Sequence, residues 1–88
     1  MYPPFASRPF TRLNFRDAID HAALAVPFAN STNSLRGSYN IANNCFEVWS
    51  YATVIGRYDY TSETWWVTDE RYSVTTSRHT NALRAAVM

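Results

Sequence analysis

A change of hydrophobic period at Pro27 limits what this chain can fold into. Before that proline, Phe15, Ile19, Ala22, Ala23 and Val26 recur at helical spacing. One face of a helix over residues 14–26 is therefore apolar and has to be buried against another element. Asn14 stands where a cap belongs, and Asp17 places a carboxylate near the positive end of the helix dipole. Arg16 with Asp20, and Asp17 with His21, are spaced to pair along the outer side. Pro27 predicts the end of the helix.

Beyond a connection rich in Asn and Ser, over residues 28–38, the period becomes two. Tyr39 and Ile41 point one way, Asn40 and Ala42 the other, and Asn43-Asn44 reads as a two-residue turn. From Cys45 to Tyr58 the chain reads as one extended stretch. Phe46, Val48, Ser50, Ala52 and Val54 form one row of it; Glu47, Trp49, Tyr51, Thr53 and Ile55 form the other. Its length exceeds that of an ordinary strand, which predicts a bulge or bend near Ser50–Ala52 or at Gly56. Asp59–Glu63 reads as a turn, Thr64–Thr68 as a short strand, and Asp69–Arg71 as a charged loop. Thr75, Thr76 and Ser77 offer caps for a terminal helix over 77–87, with Ala82, Leu83, Ala86 and Val87 on its apolar side.

The expected fold is α+β: one domain, with a three-stranded antiparallel meander over residues 38–68, an N-terminal helix and a short C-terminal helix. Residues 1–10, with Pro3, Pro4 and Pro9, read as an extended arm that Phe5 and Phe10 pin to the body. Eighty-eight residues hold a single core. That core has to be built largely from rings, since five Phe, six Tyr and three Trp outnumber Leu, Ile and Val together. Rings and β-branched side chains favour sheets. Tyr and Trp also carry polar atoms that want partners, so the same rings suit a binding surface as well as a core.

Every basic residue is arginine, and the net charge is +1. A GC-rich coding sequence explains the missing lysine; selection for planar bidentate recognition is the other reading. The lone Cys45 cannot form an internal disulfide and fits a reducing compartment. With no apolar run long enough to span a bilayer and no signal pattern, the expected location is the cytoplasm, with no membrane partner.

Catalytic chemistry finds little to work with. Cys45, His21 and His79 are the whole supply of soft or imidazole ligands, and they lie far apart in sequence, so neither metal nor cofactor is expected. Ser77 and His79, two apart on a helix, do not face each other; Ser77 reads as a cap and His79 as a surface residue of the first turn. Glu47 is expected to pair with an arginine across the sheet. No enzyme is expected. A sheet presenting Trp49, Tyr51, Tyr58 or Trp66 beside Arg57 and Arg71 could stack unpaired bases. The arginines are nevertheless scattered and offset by seven acids, which suits a protein partner better. The same rings can instead form the covered face. Uncovered sheet edges leave homo-oligomers open.

Ser50-Tyr51-Ala52-Thr53-Val54-Ile55, Trp66-Val67-Thr68-Asp69 and Tyr72-Ser73-Val74-Thr75-Thr76-Ser77-Arg78-His79 together make a pattern, SY-x-T-x-I, then WVTD, then YS-x-TTSRH. It resembles an uncharacterised domain family in small proteins of bacteriophages and mobile elements, over residues 39–81. No activity or cofactor attaches to that family. The resemblance implies a phage source and, with the composition, a non-enzymatic module that binds a host protein in host takeover or counter-defence. A small nucleic-acid-binding protein is the alternative. In the YS-x-TTSRH block, hydroxyls are expected to satisfy amides at a helix start, with Arg78 or His79 reaching back to Ser50-Tyr51. The same helix start with Arg78 is alternatively an anion site. The expected binding residues are Trp49, Tyr51, Arg57, Tyr58, Trp66, Arg78 and His79.

Overall fold

Asn14 caps the first helix as its position implies: its side chain accepts a hydrogen bond from the Asp17 amide at 2.8 Å. Helix α1 spans Phe15–Ala23 and buries Ala18, Ile19 and Ala22. The computed structural model describes residues 13–70 and 72–88; the proline-rich arm and Arg71 lie outside the described residues. The helix ends before Pro27 is reached. Ala25 takes a left-handed φ of 55°. Its amide donates to Ala22 O at 2.9 Å, and the Val26 amide donates to His21 O at 3.0 Å, so a Schellman closure stops the helix. His21 does turn towards Asp17, but its Nδ1 meets the Asp17 carbonyl oxygen at 2.8 Å.

Five strands follow: β1 (Phe28–Ala29), β2 (Leu35–Asn40), β3 (Cys45–Ser50), β4 (Thr53–Asp59) and β5 (Thr64–Val67). They form one antiparallel sheet in sequence order, and helix α2 (Val74–Val87) closes the chain. The α+β class and the meander are present, but the count is five strands instead of three.

Two local features hid the extra strands. Phe28-Ala29 is too short to show a period, and its return to β2 is shaped by one side chain. Asn30 Oδ1 accepts from the amides of Ser34 and Leu35 at 2.9 and 3.1 Å. The second feature is a complete reversal within Cys45–Tyr58. The expected bend at Ser50–Ala52 is a two-residue hairpin turn, with Ser50 opposite Thr53 and Tyr51 at φ 54°. Neither Tyr51 nor Ala52 belongs to the residues that ordinarily favour such a turn. A register shift between Val48 and Trp49 also pairs Trp49 with Val54 and Val48 with Gly56. This leaves Ile55 as the extra residue of a bulge, turned into the core. At Asn43-Asn44 the chain also reverses, through a longer turn over 41–44 in which Asn44 takes φ 52°.

Residues directly opposite in antiparallel strands share a face. Leu35, Gly37 and Tyr39 thus lie with Ser50, Val48 and Phe46, and Gly56, Tyr58, Val67 and Trp65 continue the row. Both helices cover this side, where Ala18, Ile19, Phe28, Phe46, Val48, Ile55 and Leu83 form the core with their neighbours. Close approach explains the two glycines. A β-carbon on Gly37 would sit 2.5 Å from both Phe28 Cε1 and Phe46 Cζ, and one on Gly56 would overlap Leu83 Cδ2.

Helix α2 begins earlier than residue 77. Its cap is Ser73, whose hydroxyl accepts from the Thr76 amide at 3.2 Å. Ser77 is already inside the helix, its amide donating to Ser73 O at 2.9 Å. Among the described residues no helix is long and apolar enough to cross a membrane.

Candidate functional site

The face of the sheet that neither helix covers carries, among the described residues, an alternation of rings and guanidinium groups. Pleating sends Arg36, Glu47, Trp49, Arg57 and Trp66 to this side, and the register places Arg36 opposite Trp49, Glu47 opposite Arg57, and Arg57 opposite Trp66. The Arg36 guanidinium lies 4.9 Å from the Trp49 ring centroid, and that of Arg57 lies 5.5 Å from Trp66. Arg57 also reaches Glu47 Oε2 at 3.9 Å, as the expected cross-strand arginine partner. Asn40 donates to the same oxygen at 3.4 Å. Each cation–π pair contributes about 0.5–1 kcal/mol at such exposed sites. The pairs also hold long side chains flat before anything binds, which lowers the ordering cost of association. Trp66 is 47% exposed.

Three of the expected binding residues, Trp49, Arg57 and Trp66, are therefore brought together. Tyr58 is not with them. It lies on the covered side, edge-on to Tyr60 at 5.1 Å and tilted against Trp65 at 5.5 Å, because its partner in the register is Phe46. Arg36 joins the face without having been anticipated. The alternation of Leu35, Gly37 and Tyr39 against Arg36 and Ser38 signals it, but Gly37 weakens that alternation and the Asn/Ser composition reads as a loop.

Tyr51, Arg78 and His79 gather elsewhere, where the β3–β4 turn meets the start of α2. His79 does reach back to Ser50-Tyr51: its Nδ1 lies 2.8 Å from Ser50 Oγ. Ser50 Oγ donates to Thr76 Oγ1 at 3.0 Å, and the cap Ser73 donates to the same oxygen at 3.2 Å. A hydroxyl has one proton to give, so with Ser50 donating to Thr76, His79 Nδ1 carries the hydrogen donated to Ser50. The imidazole stacks against Phe15 of α1 at 5.6 Å and Tyr51 at 6.5 Å, and the Arg78 guanidinium lies 5.7 Å from the Phe15 ring.

His79 is thus a buried residue in place of the exposed one expected. Burial, then the nearby Arg78 charge, hold its pKa below the usual 6.5. A serine and an imidazole in contact are half of a nucleophilic site, yet Ser50 has no exposed surface and, among the described residues, its hydroxyl meets only Thr76 and His79. The cluster acts as a clamp that ties the hairpin to α2 and α1.

Cys45 is also buried. Burial, reinforced by the Glu47 charge, pushes its thiol pKa up, which disfavours the reactive thiolate. A groove of about 410 Å³ runs between the loop after β5 and α2, lined by Asp69, Glu70, Ser77, Thr80, Asn81 and Arg84. Its cation is already engaged, since Arg84 Nη2 donates to Thr68 O at 2.6 Å and lies 3.6 Å from Asp69.

No curated protein and no solved structure matches the chain. A match to a known family covers residues 24–86, from the turn that closes α1 into the last turn of α2. It includes all five strands, the open-face ladder and both halves of the clamp, and leaves α1 outside. On that span the chain belongs to a family of unknown function, DUF8033.

Proposed function

We propose that this protein is a non-enzymatic interaction module that binds another protein through the open face of its sheet. The supporting observation is the ladder of Arg36 on Trp49 beside Glu47, Arg57 and Trp66. Trp and Arg dominate the energetic centres of protein interfaces, and here they are already ordered against one another. Glu47 offsets Arg57, and both arginines lie over rings, an arrangement less suited to tracking a phosphate backbone, which calls for unneutralised cations. The likeness of the SY-x-T-x-I, WVTD and YS-x-TTSRH segments to small phage proteins supports a bacteriophage or mobile-element source. The target is then a host protein in the host cytoplasm, bound in host takeover or counter-defence.

The test is capture of host proteins from lysate on the immobilised full chain, with and without nuclease. A discrete protein band that survives nuclease and disappears with Arg36→Glu or Arg57→Glu, both still folded by circular dichroism, supports the reading. A complex with single-stranded DNA or RNA that weakens steeply with salt, with no nuclease-resistant protein band, overturns it in favour of nucleic-acid binding.

A further inference from the structure

We infer that β5 is a docking edge for a second copy of this chain, the two strands pairing antiparallel about a two-fold axis at Trp66. The two rims of the sheet differ. At β1 the outward carbonyl is already occupied: Leu13 N donates to Ala29 O at 3.1 Å, and Ser31 N returns a bond to Leu13 O at 2.7 Å. At β5 the phase of the ladder decides which groups face out. Thr68 N donates to Ile55 O of the preceding strand at 2.9 Å. Alternation along the strand then turns the backbone groups of Trp66 and Thr64 towards β4 and those of Trp65 and Val67 outward. Among the described residues these outward groups meet no partner.

The spacing of the outward groups matches a second copy of the same strand. Trp65 and Val67 flank Trp66 symmetrically, so an antiparallel mate centred on Trp66 sets Trp65 opposite Val67 of the second copy. Both such pairs can then exchange N–H···O bonds. Trp66 meets its counterpart at the axis as a non-hydrogen-bonded pair, with α-carbons about 4.5 Å apart and both indoles on the open face. Thr64-Trp65-Trp66-Val67 contains none of the charges, prolines or bulges that ordinarily block edge pairing. No like charges within the strand oppose its joining to itself. The ladder would then run unbroken from Arg57 through two Trp66 rings to the second Arg57.

This inference goes beyond the interaction reading and rests on different groups. An Arg36→Glu chain that has lost its protein partner still forms the pair. The test is sedimentation of the full chain across a concentration series. The expected species has twice the 10.1 kDa of one chain. Trp66→Lys should weaken the association about tenfold or more, through lost ring stacking and facing like charges, with the far-ultraviolet dichroism unchanged. Under mild oxidation, Trp66→Cys should cross-link between copies. Thr64→Cys should not, because its counterpart lies about 13 Å away along the strands, beyond disulfide reach. A single-chain mass at every concentration, an undiminished dimer with Trp66→Lys, or cross-linking at Thr64→Cys in place of Trp66→Cys overturns it.

Discussion

The two faces of the sheet share one register and obey opposite rules. On the covered face, Phe46, Val48, Leu35 and Ile55 are fully enclosed; Phe28 and Phe46 crowd Gly37, and Leu83 of α2 crowds Gly56, so neither position has space for a side chain. On the open face, Arg36, Trp49, Arg57 and Trp66 touch one another in pairs and remain accessible. The first set is enclosed in the core, and the second is the surface proposed above for recognition. The Ser50–Thr76–His79 clamp, a polar intrusion into the covered face, is tolerated because its buried side-chain atoms all have hydrogen-bond partners.

The sharpest way to break this contrast is to truncate a ring on each side. Phe46→Ala should cost about 3–5 kcal/mol in urea unfolding, the loss expected of a large ring deleted from a core. Trp66→Ala should cost less than about 1 kcal/mol, the worth of its exposed cation–π pair. Equal losses would mean that the open face is part of the core. Gly37→Ala tests the opposite fault, overpacking: its new methyl meets Phe28 and Phe46, and a loss of about 1–3 kcal/mol is expected.

The clamp is tested by acid. His79 has a folded pKa below its unfolded value of 6.5, so the unfolded chain binds the proton more readily. Its contribution is fully present above pH 6.5 and is lost as the pH falls from there through the depressed folded value. His79→Gln should remove this step from the dependence of the urea midpoint on pH, leaving the carboxylate losses at lower pH. An unchanged profile would show that the imidazole is not held neutral. Ser50→Ala, which strands the His79 N–H and leaves the Thr76 hydroxyl with Ser73 as its remaining partner, should cost about 1–3 kcal/mol at neutral pH.

The smallest effect concerns the covering layer. Ala25 holds a left-handed conformation that glycine adopts without penalty. Ala25→Gly should therefore raise stability by about 0.5–1 kcal/mol, net of the extra freedom gained by the unfolded chain. A loss would show that the Ala25 methyl matters more to packing than its backbone strain costs.

What could be read in advance was mostly short in range. The Asn14 cap and the buried stripe of α1 follow from neighbouring residues. The link from the YS-x-TTSRH block back to Ser50-Tyr51 spans 29 positions and was legible only as an expectation from side-chain chemistry, without the burial that accompanies it. The cap of α2 was misplaced because Ser73, Thr75, Thr76 and Ser77 are all chemically able to cap, and only packing selects Ser73. A bend at Ser50–Ala52 is legible from the length of the extended stretch, but a full reversal there is not, because Tyr51 and Ala52 offer no turn chemistry. The hairpin is held instead by pairs far along the strands, such as Cys45 with Asp59. Trp49, Arg57 and Trp66 were recognised as one candidate set, but Arg36 and the exclusion of Tyr58 needed the register.

By itself, the order of residues determined where this chain is helical near its start, that an antiparallel meander follows and a second helix closes it, and that its rings must serve both interior and surface. Those properties depend on side-chain period and local hydrogen bonding, which operate over a few residues. Tertiary structure alone decided which ring went to which side. A two-residue turn and a single bulge set the facing of every later side chain, and they are held in place by strand pairing and helix packing between distant residues. The same pairing brought Arg36 over Trp49 and buried His79 against Ser50.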